Sequence, residues 1–309
     1  MSFFQYFPKH IADRVIRNGL EETKIQEIRM RTGQPVIVIH NGMETVLAEK
    51  DTDSVVSQKD IQMTLEAISS YSLYAFEDEI RQGFLTIQGG HRIGVAGKVV
   101  CENGRIISIR NLSFLNMRFV HERKGCADHI LPYLTDDKGR ILHTLLISPP
   151  GAGKTTVLRD MIRQISNGTA YIKGETVGVV DERSELAGSW MGVPQNDMGM
   201  RTDILDCCPK AEGMMMLLRS MSPKVIAVDE LGGRKDIDAV EQALFSGCRI
   251  LATVHSASLE ELKQKPQWQQ MIEHKMFDRY VVLSKGNEGE HLAMILDREG
   301  QVKKCDIRF

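Results

Sequence analysis

Hydrophobic and polar positions alternate in short runs through the first 110 residues. Residues 25–31 and 35–40 read as strands, and Asn41-Gly42 reads as the hairpin turn leading into a third at 44–47. A helix is expected over 60–70, with Ile61, Leu65 and Ile68 on one face. Residues 84–88 and 92–100 form a second hairpin around Gly89-Gly90, and Asn103-Gly104 turns the chain again into 105–110. This pattern predicts a small α+β domain.

From residue 141 the pattern changes. A continuous apolar run, 141–147, is followed by Val157, Leu158, Met161, Ile162 and Ile165 at helical spacing. A strand at 176–180 ends in Asp181-Glu182-Arg183. A helix carrying Met214, Met215, Leu217, Leu218 and Met221 precedes a strand at 225–228 that ends in Asp229-Glu230. The run Met214-Met215-Met216 reads as the buried face of that helix. A further helix with Ile237, Val240 and Leu244 stops at Gly247, a natural C-terminal cap, and returns to a strand at 249–254. Ser258 and Glu261 have capping-box spacing for the next helix, and 280–302 reads as a β-meander turning at 286–289 and 299–300. Strand–helix alternation signals a parallel sheet. The polar stretch 135–140 is the expected linker, giving an N-terminal α+β domain at 1–134 and an α/β domain at 141–309.

The chain has 309 residues, 42% of them hydrophobic and 26% charged, enough for two ordinary globular cores. A formal charge of −2 without a basic block disfavours a non-specific nucleic-acid partner. No charged segment followed by an apolar one opens the chain, and no run reaches spanning length. The expectation is a cytosolic protein without a direct membrane span, reaching a membrane only through a partner. The six cysteines show no C-x-x-C spacing and pair with no histidine cluster, so they read as reduced thiols.

The chemistry concentrates at strand ends. Residues 148–155, S-P-P-G-A-G-K-T, follow a strand and open a helix, as a P-loop does. Ser148 stands where the usual pattern has its first glycine. Pro150, Gly151, Ala152, Gly153, Lys154, Thr155 and Thr156 are the candidate nucleotide-binding residues. Backbone N–H groups and the helix N-terminus would face phosphate, Lys154 would reach the β/γ-phosphates, and Thr155 would ligate Mg²⁺. Asp229 would support the metal as a Walker B aspartate, and Glu230 would polarise the attacking water. An acidic pair after an apolar run is also an ordinary solvated strand end. Asp181, Glu182 and Glu185 could orient water or metal, or only pair with Arg183. His255 could sense the γ-phosphate. A cation for the charge developing on that phosphate is sought among Arg201, Arg110, Arg118 and Arg219. An extra strand between the two Walker motifs, and no N-K-x-D motif, point to ATP rather than GTP.

In this order the motifs resemble those of the type II and type IV secretion ATPases, including pilus retraction motors. They are Walker A, an acidic box V-D-E-R-S-E-L, Walker B and a histidine box A-T-V-H-S. I-S-I-R at 107–110 is similar to the segment that supplies a phosphate-contacting arginine there. E-I-R-M-R-T-G-Q-P, G-H-R-I-G-V-A-G-K, R-T-D-I-L-D and A-E-G-M-M-M extend a more specific resemblance to the stage III sporulation protein AA family over nearly the whole chain. The resemblance implies a RecA-like P-loop ATPase domain using ATP and Mg²⁺, in a homo-oligomeric, hexameric ring. It also implies a membrane-protein partner in a channel between mother cell and forespore. A nucleic-acid motor and a nucleotide switch or ring scaffold with little hydrolysis are the alternatives.

Overall fold

The computed structural model describes residues 3–48, 55–69, 76–286 and 290–309. It divides into two compact units, Met1–His121 and Glu122–Phe309.

In the first unit a 3-10 turn, Phe3–Tyr6, and helix α1 (Lys9–Arg17) precede β1 (Ile25–Arg31), β2 (Val36–His40) and β3 (Met43–Leu47). Helices α2 (Gln58–Ile68) and α3 (Glu77–Arg81) lead to β4 (Phe84–Ile87), β5 (His91–Glu102) and β6 (Arg105–Arg118). The strands form one antiparallel sheet in the order β3-β2-β1-β6-β5-β4. Both Asn-Gly pairs take the positive φ of a primed hairpin turn: Asn41 50° and Gly42 74°, Asn103 48° and Gly104 74°. Ile11 and Val15 of α1 and Ile61, Leu65 and Ile68 of α2 share a core with Ile28, Met30 and Val38. Helix α2 starts two residues before the expected position, because Ser57 and Asp60 cap each other's backbone N–H groups. Residue 70, its expected end, lies outside the described residues.

The second unit contains β7 (Thr144–Ser148), α4 (Lys154–Asn167), β8 (Val177–Asp181), β9 (Thr202–Asp206) and α5 (Lys210–Ser220). It continues through β10 (Val225–Val228), α6 (Arg234–Phe245), β11 (Arg249–His255), α7 (Leu259–Lys263) and α8 (Pro266–Glu273). It ends in β12 (Arg279–Lys285), β13 (His291–Asp297) and β14 (Val302–Arg308). The sheet order is β14-β13-β12-β7-β11-β10-β8-β9. Strands β12 to β9 in that order run parallel, while β13 and β14 are antiparallel additions.

Strands buried on both faces explain the unbroken apolar runs. Leu146, Val179, Ala227 and Leu251 face α4, whereas Leu145, Val180, Ile226 and Ile250 share the opposite core with α5, α6 and α8. Gly213 lets α5 lie close on β8, since a methyl group there would stand 2.6 Å from Val180.

Four expectations change. The boundary falls at 121/122 rather than in 135–140, because Ala127, Ile130, Leu131 and Leu134 are buried in the same core as α4. Strand β9 pairs with β8 in a stretch where the sequence pattern predicts no strand; as a half-exposed edge strand it carries no full apolar run. In the methionine run only Met214 is buried, and Met216 is 52% exposed. Ser258 accepts from the Glu261 N–H as expected of a cap, but the Glu261 carboxylate accepts from Ala257, so the box is one-sided. Residues 287–289 of the expected meander turn lie outside the described set. Among the described residues no helix is long and apolar enough to cross a membrane.

Candidate functional site

Parallel pairing aligns the carboxyl ends of β7, β11, β10 and β8, placing Ser148 beside His255 on one rim, with Asp181 and Asp229 directly beyond paired residues. The P-loop crosses this rim. Gly151 and Gly153 have φ of 75° and 90°, which favours glycine, and Gly153 is the N-terminal cap of α4. Ser148 is not among the described residues with positive φ. It is a buried strand end whose hydroxyl donates to the Pro149 carbonyl at 2.8 Å, so this position needs no glycine.

Lys154 is buried, with its ammonium 3.2 Å from Glu230 Oε1, 3.0 Å from His255 Nε2 and 3.8 Å from Asp229 Oδ1. Glu230 Oε1 also lies 2.7 Å from His255 Nε2, and Arg183 holds its other oxygen at 2.8 Å. One ring nitrogen either accepts from Lys154 or donates to Glu230, never both, so the two contacts of His255 exclude each other. Burial would raise the Glu230 carboxyl, but His255, Lys154 and Arg183 outweigh it and hold the group down at about 2.

Thr253 organises the acidic pair. It is fully buried, donates to Asp229 Oδ1 and accepts from the Glu230 N–H at 2.8 Å. Glu230 has φ of 55°, a left-handed conformation costly for a side chain of this kind. Anchored at its N–H by Thr253, it turns back over Lys154. Thr155 donates to Asp229 Oδ2 at 2.9 Å, so both carboxylate oxygens converge with hydroxyl groups.

These oxygens suit Mg²⁺, which prefers hard oxygen ligands and usually takes one or two protein groups together with substrate phosphate. Among the described residues no group of three or more His, Cys, Asp or Glu side chains is placed to hold a metal ion.

The acidic box divides. Asp181 is buried and accepts the N–H groups of Glu185, Leu186 and Ala187 at 2.9, 3.0 and 2.8 Å. Burial pushes its carboxyl up to about 7, with Asp206 and Asp229 adding to the rise and the backbone donors opposing it. Glu182 pairs with Lys210, and both line a small pocket with Asp229 and Glu230.

Within the second unit, the candidates Arg201 and Arg219 are not brought to this rim. Arg201 donates to the Ser166 carbonyl at 2.7 Å, and its N–H donates to the Ser166 hydroxyl. It therefore caps the far end of α4, about 20 Å of helix from the P-loop. Arg219 lies exposed in the last turn of α5, ahead of β10 and away from its carboxyl end. Arg110 and Arg118 are exposed on β6 of the other unit, and Arg118 lies 3.8 Å from Glu27.

Arg183 and Thr253 are the residues that sequence reasoning underused. Arg183 appeared there only as a salt-bridge partner, and a threonine inside an apolar strand carries no signal of its own. A third set, on the other flank of the P-loop, went unnoticed. The His291 ring lies with Nδ1 3.2 Å from the Ala152 carbonyl, and Phe309 sits 5.5 Å from that ring, centre to centre.

Solved structures share this architecture. The Legionella pneumophila ATPase DotB superposes with a TM-score of 0.63 at 14% identity, covering 95% of this chain and 82% of that one. The pilus retraction motor PilT, solved with bound ADP, gives 0.56 at 17% identity, covering 91% and 81%. At such identities the likeness establishes the RecA-like fold alone. Stage III sporulation protein AA of Bacillus subtilis (strain 168) is 40% identical over 293 residues, 93% of each chain. The family model for sporulation stage III, protein AA matches residues 4–303. This match, over nearly the full length, makes the chain a member of the sporulation stage III protein AA family.

Proposed function

We propose that the chain is a Mg²⁺-dependent ATPase, a secretion-type motor serving a sporulation channel. The observation that carries the reading is Lys154, Thr155, Asp229, Glu230 and His255 converging on one strand rim beneath a glycine-bearing loop. Loop N–H groups and Lys154 bind the phosphates, and Thr155 and Asp229 would hold the metal. When bound, Mg²⁺ neutralises charge on the phosphate oxygens.

Glu230 at about 2 is a weak base, because three cations and donors hold it. A terminal phosphate arriving at Lys154 competes for that ammonium. Its withdrawal from Glu230 raises the carboxylate's basicity and releases it to orient water. His255, freed from Lys154, then donates to Glu230 or to phosphate. The family resemblance supports a homo-oligomeric ring, a membrane-protein partner and work from the cytoplasm of the mother cell. Arg110 or Arg118 would complete the site in a neighbouring subunit.

The test is steady-state ATP hydrolysis with Mg²⁺ across a protein concentration series, comparing wild type with Lys154→Ala. The expected result is activity that rises per subunit as rings assemble and is lost in the variant. Equal turnover in both proteins would overturn the assignment.

A further inference from the structure

The rim has two flanks. Glu230, His255, Asp229 and Arg183 come from the ends of β8, β10 and β11, all on one side of β7. On the other side β12 ends at Lys285, β13 starts opposite it at His291, and β14 returns to the same level at residue 308. Phe309 follows, its N–H donating to the His291 carbonyl at 3.2 Å.

These residues touch the P-loop itself. A methyl group on Gly153 would meet the Phe309 ring at 3.3 Å and the His291 ring at 3.4 Å, and one on Gly151 would meet the Lys285 ammonium at 3.5 Å. A carbonyl only accepts, so the His291 contact with Ala152 puts the proton on Nδ1 and leaves Nε2 as an acceptor. The two rings are tilted by 38°, and both are partly exposed. Phe309 also packs on the core beneath.

We propose that His291 and Phe309 form the nucleoside subsite of this P-loop, an aromatic platform for the base. The inference rests on the nucleotide reading above and extends it. A triphosphate whose terminal phosphate sits between Lys154 and Glu230 must lead its nucleoside away from the flank those residues fill. The β12–β14 flank offers two ring faces within contact of Gly153. His291 Nε2 adds an acceptor for an amino or hydroxyl group, and Lys285 adds positive charge at the mouth. Stacking on an aromatic face suits a base of any identity and contributes nothing to an inorganic polyphosphate.

The experiment is calorimetric titration with Mg²⁺ of ATP and, separately, inorganic tripolyphosphate into wild type, Phe309→Ala, Phe309→Trp and His291→Ala. Phe309→Ala should weaken ATP about tenfold or more while shifting tripolyphosphate less than about twofold. Phe309→Trp should restore ATP affinity, and ATP but not tripolyphosphate should quench the fluorescence of the new indole. Equal losses for both ligands, or unchanged ATP affinity in Phe309→Ala and His291→Ala, would overturn the subsite and leave the nucleotide reading standing. Wild type binding neither ligand would overturn the nucleotide reading itself, and the subsite with it.

Discussion

The ends of β8 and β10 lie side by side, each closing in acidic residues, and they use them in opposite ways. Asp181 is turned inward onto three backbone N–H groups, and burial pushes it up to about 7. Glu230, two residues beyond the end of β10, is turned outward among Lys154, His255 and Arg183, which hold it down at about 2. At Asp181, almost fully buried, desolvation outweighs the backbone donors, and Asp206 and Asp229 add to it; at the more exposed Glu230 the nearby His255, Lys154 and Arg183 outweigh it. The first carboxylate therefore shapes a loop, and the second is available for exchange with an incoming anion.

Substitutions that separate loop-building from exchange would break or sharpen this contrast. The largest effect is expected from Glu230→Gln, which should keep ATP binding and lower turnover about 10²- to 10⁴-fold in a steady-state assay. Turnover near that of wild type would remove Glu230 from the reaction.

Thr253→Val keeps the volume but leaves the Glu230 N–H without its acceptor and Asp229 Oδ1 without its hydroxyl donor. Turnover should fall about 10- to 100-fold and, because Asp229 supports the metal, depend more strongly on Mg²⁺ concentration than it does in Glu230→Gln. Metal titrations of the activity distinguish the two.

Asp181→Asn should act on stability rather than on the reaction. A carboxyl raised from 3.8 to about 7 on folding contributes stability that is full below about pH 4 and lost as pH rises through about 7. Glu230, lowered from 4.5 to about 2, has the opposite sign: its contribution is present above about 4.5 and lost as pH falls through about 2. Urea midpoints between pH 4.5 and 7.5 should show the Asp181 contribution declining in wild type, and that part of the slope disappearing in Asp181→Asn. An unchanged slope would mean that Asp181 stays ionised in its loop.

The smallest effect is expected from Arg201→Ala. Losing the cap on α4 should cost about 1 kcal/mol in a denaturant melt and leave hydrolysis per folded chain within about twofold. A larger loss of turnover would return Arg201 to the reaction.

Much of this is legible in the amino-acid sequence. Unbroken apolar runs ending in Lys, Asp, Glu or His identify parallel strands and the rim on which their ends meet. The two Asn-Gly pairs marked their hairpins because few other residues tolerate positive φ twice in succession. Strand β9 escaped because edge strands need no full apolar pattern. The boundary was misplaced because 122–134 is locally a loop and short turns, and its apolar residues reveal their allegiance only by packing on α4.

Local chemistry along the chain was enough to determine the P-loop, the acidic pair and the alternation that builds the sheet. These depend on residues adjacent in sequence and on short-range periodicity. Tertiary structure alone decided which charges meet. Thr253 reaches back to Asp229 and Glu230 from the neighbouring strand, Arg183 crosses from β8 to Glu230, and Arg201 is carried to the far end of α4. His291 and Phe309, more than 130 residues beyond the loop they touch, arrive there because β13 and β14 continue the sheet past β12. Strand order, set by how all the apolar faces are buried together, is not written in any single segment of the chain.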